Sequence, residues 1–249
     1  MIGRLASVAL VCLITFNAIA GPVKGLTEAE IQGRQLAQQI LEQQPAENFT
    51  NAGVLIIQNG DGQRSEIPVR FQTAMSADRW STTYETTSGS NRTTLVVTHE
   101  ADKPNQYKLY HELTLGGHSP EVLTGNETMI PFVGSDFWVA DLGLEFFHWP
   151  QQKILKPYEM RRGRSCKVLE STEPNPSPQG YSRVVSWIDN ETLGIVQAEA
   201  YDAKGKLLKE FYPKDFKKVN GQWELQEMEI INDQTGSRTW IKFDLKKHS

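Results

Sequence analysis

Hydrophobic positions along the chain follow two periods. Between Thr27 and about Gln44, Ala29, Gly33, Leu36, Ala37 and Ile40 recur on one stripe of an otherwise polar segment, the spacing of an amphipathic helix. Thr27 followed by Glu30 predicts a capping box, Leu26 with Ile31 a hydrophobic staple, and Pro45 a stop. The stripe is narrow and its members small, so this helix can lie close on a sheet without supplying a core of its own.

From Phe49 the period changes to two, with a turn signal about every ten residues, as in an antiparallel sandwich or barrel. Asn59 to Gly62 links Val54–Ile57 to Ile67–Phe71, Ser88 to Ser90 links Trp80–Thr86 to Thr93–Thr98, and Lys103 to Asn105 precedes Tyr107–Leu115. In the C-terminal half, Asp189 to Gly194, Asp202 to Gly205, Asn220-Gly221 and Thr235-Gly236 join Tyr181–Ile188, Ile195–Tyr201, Lys206–Tyr212, Trp223–Ile231 and Arg238–Leu245. Nearly every link is a hairpin, which disfavours a parallel sheet. Tyr107, Leu109, His111, Leu113 and Leu115, then Tyr181, Val185 and Trp187, then Ile241, Phe243 and Leu245 each mark one mostly apolar face.

The expectation is a mainly β chain with few helices, an α+β fold in which a single curved antiparallel sheet has one dry face. One slim helix carries too little volume to fill that concave side, so an apolar cavity should remain beneath a helical lid. Between the two meanders, Glu121 to Tyr158 holds four of the ten phenylalanines and two of the six tryptophans. Pro131 to Leu142 could begin a short helix there, capped by Ser135 or Asp136. Pro174 to Gly180 reads as a loop.

The chain has 249 residues, 39% hydrophobic and 22% charged, a globular composition. Its net charge of −4 provides no cationic field for a phosphate backbone, so nucleic acid is excluded as an expected partner. Residues 1–20 read as an export signal: Arg4, the apolar run Leu5 to Ala18, and an Ala18-Ile19-Ala20 cleavage site. That places the mature start at Gly21 and one exported domain over 21–249. Cys12 leaves with the leader, and Cys166 alone cannot form an intramolecular disulfide.

Catalytic signatures are scarce: there is no G-x-S-x-G, H-E-x-x-H, P-loop, C-x-x-C or glycine-rich dinucleotide turn. A metal would need His99 and Glu100 to meet His111 and Glu112 across their hairpin, and no zinc-like spacing supports this over ordinary strand histidines, here or at His118, His148 and His248. Asp136 and Asp141, five apart, would not share a helix face, and Asp136 reads better as a cap than as a catalytic acid. Arg161-Arg162-Gly163-Arg164 is the densest basic cluster, either a solvated turn or a site for an anionic headgroup. Sequons at Asn48, Asn91, Asn126 and Asn190 matter only in a eukaryotic secretory pathway.

Gly134-Ser135-Asp136-Phe137 with Asp141-Leu142, then Arg164 to Glu170, Trp187-Ile188-Asp189 and Tyr201-Asp202-Ala203-Lys204-Gly205-Lys206 occur in an order that resembles the LolA-like outer-membrane lipoprotein-sorting family. The resemblance covers most of the mature chain. It departs at Trp138 and Val139 in the box, and Gly143 to Trp149 is unusually aromatic. It implies an unclosed antiparallel half-barrel with helices over its concave mouth and an apolar interior that shelters acyl chains.

The expected function is that of a periplasmic carrier or sensor of lipoprotein acyl chains or a similar lipid, with no reaction catalysed and no cofactor. Its partners would be an inner-membrane exporter and an outer-membrane acceptor, met by a monomer. Expected lining residues are Leu55, Ile57, Phe71, Trp80, Leu109, Leu113, Val185 and Trp187 from strands, Leu36 and Ile40 from the lid, and Phe132, Phe137 and Trp138 from the box. The alternative for each is ordinary core packing. The alternative functions are a non-catalytic protein-interaction module and a secreted glycan-binding or glycan-cleaving β protein.

Overall fold

The computed structural model describes residues 25–244 apart from 46, 77, 89–90, 101–102, 113–118 and 220–221. The export signal, Leu113, Leu115, His118, Leu245, His248 and the turns at 89–90 and 220–221 therefore lie outside the described residues. Helix α1 spans Glu28–Leu41. Its capping box forms: the Glu30 N–H donates to Thr27 Oγ1 at 3.3 Å, and the Thr27 N–H donates to the Glu30 carboxylate at 2.7 Å. The helix ends before Pro45, where the Glu42 N–H closes on the Gln38 carbonyl. Leu26 and Ile31 remain 47% and 39% exposed, so the expected staple buries little.

Six strands follow: β1 (Phe49–Gln58), β2 (Arg64–Met75), β3 (Arg79–Ser88), β4 (Asn91–Glu100), β5 (Gln106–Glu112) and β6 (Glu121–Leu123). Seven more complete the chain: β7 (Gln151–Arg161), β8 (Arg164–Thr172), β9 (Tyr181–Asp189), β10 (Ile195–Asp202), β11 (Leu207–Val219), β12 (Gln222–Asn232) and β13 (Arg238–Phe243). Together they form one 13-stranded sheet, entirely antiparallel, in the order β6-β5-β4-β3-β2-β1-β13-β12-β11-β10-β9-β8-β7. The two meanders fuse where β1 pairs with β13, from Gly53 opposite Phe243 to Gln58 opposite Arg238. The sheet does not close, and its free edges, β6 and β7, are consecutive in sequence.

Residues 124–150 connect those edges by crossing the concave face. This segment holds helix α2 (Val139–Leu142) and two 3-10 turns, Gly125–Thr128 and Glu145–His148. Its side chains serve both halves of the core. Phe132, Phe137, Val139 and Leu142 pack with Leu55, Phe71, Leu95 and Ile230, while Ala140, Phe146, Phe147 and Trp149 pack with α1, Leu169 and Ile188. The helical cover is thus composite, with α1 lying along β7 and α2 and the 3-10 turns spanning the middle.

The glycine at position 33 explains how α1 sits. A Cβ there would come within 2.5 Å of the Lys153 amide nitrogen, so the helix backbone rests directly on β7. The short helix in the central segment has Trp138, not Ser135 or Asp136, at its cap position. The Trp138 N–H donates to Asp141 at 2.8 Å, while Ser135 Oγ donates to the Phe137 carbonyl. Asp136 is drawn away from the helix end by hydroxyls on β13 and just before it.

Candidate functional site

Alternation along β9 and β10 decides where space remains beneath the central segment. Val184, Ala198 and Ala200 belong to the concave-side core, and such small side chains cannot reach the segment opposite. A cavity of about 220 Å³ lies between them and Phe137, Leu142, Leu144 and Phe146, lined elsewhere by Tyr84, Phe211, Met228 and Ile230. At roughly 30 Å³ for a water-sized group it holds about seven such groups. Full ligand pockets are usually about 300 Å³ or more.

Polar atoms reach the wall at two places. The Tyr84 hydroxyl is spent on the Leu142 carbonyl at 3.1 Å. The other place is a buried ionic corner made by Lys209, Asp141 and Tyr181. Lys209 is 2% exposed; its Nζ donates to the Asp136 carbonyl at 2.7 Å, stands 3.6 Å from an Asp141 oxygen and lies 3.6 Å over the Trp138 ring. Tyr181 donates to both Asp141 oxygens at 3.0 and 3.1 Å, and its ring stacks on Trp138 with centroids 4.5 Å apart.

Asp136 completes the corner from behind. Ser237 Oγ donates to one carboxylate oxygen at 2.6 Å and Thr239 Oγ1 to the other at 2.9 Å. Both carboxylates of the Gly134 to Leu142 box therefore serve one purpose, joining the crossing segment to β9, β11 and β13. Burial pushes the Lys209 ammonium down to about 8, opposed by Asp141 and Asp136. The same burial raises Asp141, against the pull of Lys209, and lifts Tyr181 well above its ordinary value.

Leu144, which contributes to the cavity wall, has φ of +52°. A left-handed conformation costs a leucine roughly 1–2 kcal/mol. The next residue, Glu145, is buried and accepts from the Tyr107 hydroxyl at 2.8 Å; Asn105 donates to that hydroxyl and to the Gly143 carbonyl. Burial pushes Glu145 up to about 7, with the Tyr107 hydrogen bond acting the other way.

Beyond this network lies a more polar cavity of about 370 Å³ between α1, the β4–β5 connection and residues 147–152. His99 and His148 both line it, His99 stacked on Trp80 with centroids 3.7 Å apart. Burial lowers His99 to about 4 and lowers His148 as well. His99 does not meet His111: the register places His111 opposite Thr93 and His99 opposite Trp80. Among the described residues no group of three or more His, Cys, Asp or Glu side chains is placed to hold a metal ion.

Of the residues expected to line the interior, Phe137 borders the apolar cavity. Trp138 stands behind it, against Lys209 and Tyr181. Leu55, Phe71, Leu109 and Phe132 are buried in the N-terminal half of the core, with Ile57 packed against them. Leu36 and Ile40 pack with Ile154, Phe147 and Trp149. Trp80 lies against His99. Val185 and Trp187 lie on the opposite face of β9, among Cys166, Val168 and Val196, and Trp187 donates to Glu159 at 2.8 Å beneath the Arg161 guanidinium.

Sequence reasoning missed Lys209, Ala198 and Ala200. One signal was available: Lys209 shares the parity of Phe211 on β11, and the two stand opposite Ala200 and Ala198 on β10. A lysine in phase with an apolar face, facing an alanine, marks a buried charge beside a gap.

No curated protein matches the chain. Among solved structures, a DUF1329 family protein from Desulfovibrio piger is similar with a TM-score of 0.70 and 18% identity, covering 90% of this chain and 94% of its own. A domain assigned to outer membrane lipoprotein sorting, from Vibrio parahaemolyticus, has a TM-score of 0.70 and 21% identity over 87% of this chain and 92% of its own. A LolA superfamily protein from Nitrosomonas europaea has a TM-score of 0.59 and 15% identity, covering 90% and 95%. A family model described as "-like: Uncharacterized protein" matches residues 79–247, more than half of the chain. The chain belongs to the family that this model describes, and its fold is that of the LolA-like outer-membrane lipoprotein-sorting proteins.

Proposed function

We propose that this chain is a periplasmic carrier or sensor that holds acyl chains of lipoproteins, or a similar lipid, against the concave face of its sheet. In this reading the leader 1–20 is removed and residues 21–249 act as one domain. The protein catalyses nothing, needs no cofactor, and meets an inner-membrane donor and an outer-membrane acceptor as a monomer. The supporting observation is the apolar cavity between Ala198, Ala200 and Val184 on the sheet and Leu142, Leu144 and Phe146 on the crossing segment.

Each methylene buried there contributes ~0.8 kcal/mol without any specific polar contact. A whole acyl chain exceeds the resting volume of about 220 Å³, so loading requires the crossing segment to move outward. The strained Leu144 backbone within it lowers the cost of that movement. No helix among the described residues is long and apolar enough to cross a membrane, which fits a carrier that travels between two of them.

The test is native mass spectrometry of protein purified without detergent, together with displacement of a fluorescent fatty-acyl probe. The expected result is co-purifying acyl mass, or an apo protein that takes up the probe and yields it to phospholipid. A clean apo mass with no probe uptake would replace this reading with a protein-interaction module.

A further inference from the structure

We propose that the β7–β8 hairpin is a docking surface for an anionic lipid bilayer. Leu155, Tyr158 and Met160 stand 42%, 62% and 55% exposed within six residues of one strand. That strand is a free edge of the sheet, and α1 covers its beginning, where Gly33 rests on Lys153, and leaves these side chains outside. No other stretch of the described residues exposes three large apolar groups so close together.

Charge accompanies them. Residues 151–172 carry six basic side chains against two acidic ones, in a chain whose net charge is −4. Lys156 pairs with Glu159, Arg161 with Glu199, and Arg164 with Asp189 and Glu191. Lys153, Arg162 and Lys167 form no ion pair among the described residues, and Lys153 and Arg162 are exposed. Arg162 is held at the hairpin tip, its guanidinium 3.9 Å over the Tyr212 ring, in a turn where it and Gly163 both have positive φ.

The edge is poorly built for adding a strand from a protein. Pro157 has no N–H to offer, and the register with β8 shifts twice between Ile154 and Glu159. A bilayer surface needs no register. Tyrosine and methionine can enter the headgroup boundary while lysine and arginine meet lipid phosphates, a combination that neither hydrophobic burial nor charge would supply alone.

The test is flotation of the purified protein with vesicles of phosphatidylcholine alone and of phosphatidylcholine with phosphatidylglycerol, at low and high salt. Binding is expected to the anionic vesicles only, weakened by salt. Arg162→Gln should lower the partition about fivefold, the effect of one basic residue near an anionic surface. Tyr158→Ser with Met160→Ser should abolish binding while circular dichroism stays that of the wild type, since both side chains are exposed.

Equal binding to neutral vesicles, no binding to either kind, or variants that float like the wild type would overturn the proposal. So would Arg162-dependent capture of an acidic peptide without any vesicle binding. Flotation reads attachment to a surface and not uptake into the cavity, so this assay can fail while the cavity still takes up acyl chains, and the reverse also holds.

Discussion

Lys209 is fully enclosed yet has two carboxylates, a carbonyl and two aromatic rings around its ammonium. Removing one partner from such a group strands the others. Lys209→Met should therefore destabilise the protein by about 3 kcal/mol, the usual cost of breaking a buried ion pair from one side. The added change Asp141→Asn should recover part of that loss, because the uncompensated carboxylate disappears. Urea unfolding of the two single variants and the double variant measures both numbers and their coupling.

Glu145 offers a test by pH. Its carboxyl is raised in the folded state to about 7 from an ordinary value near 4.5, so the native state holds a proton that the unfolded chain has released. Stability must then fall as pH rises from about 4.5 to about 7, by roughly 3 kcal/mol if the whole shift is realised. Glu145→Gln should flatten that part of the stability curve. An unchanged slope in the variant would assign the pH dependence to other groups.

Among the elements, α1 lies chiefly along one strand, β7, with the 145–148 turn as its second support. Gly33→Val places atoms where Lys153 backbone already lies, so α1 should lift from β7 at a cost of about 2 kcal/mol, within the usual range for overpacking. Amide exchange should accelerate across Glu28–Leu41, while the strands of the opposite half, β1 to β5, keep their protection.

This helix was legible in the sequence because everything that defines it is local: a cap, a stripe and a small-residue contact surface. The hairpins were legible for the same reason. Strand β7 was not, since Pro157 and two register shifts erase its alternation. The face of β9 was misread because both its sides are buried; Tyr181 joins the concave core with Val184 while Val185 and Trp187 point the other way. Alternation separates faces only when one of them is wet.

At the level of the whole molecule, the single antiparallel sheet followed from two runs of hairpins with no crossover helix, while its unclosed form was implied only by the family resemblance. The fusion of β1 with β13 did not follow, because nothing local in Phe49–Gln58 names a partner at Arg238–Phe243. The site was legible only in outline. Sequence pointed to the box around Asp136 and to a hollow beneath a helix, but the hollow lies under the crossing segment, beside two alanines whose importance depends on what stands opposite them.

The crossing segment is covalently tied to both rims of the sheet, at β6 and at β7. In the proposed function a guest would displace it, yet the segment could not diffuse away and would remain at high effective concentration beside the place it had left. It is a built-in competitor. On that reading the affinity of a guest would be its own binding energy less that of Phe137, Leu142 and the Lys209 corner for the same hollow, so the grip of the segment on the sheet would set how readily the guest is surrendered.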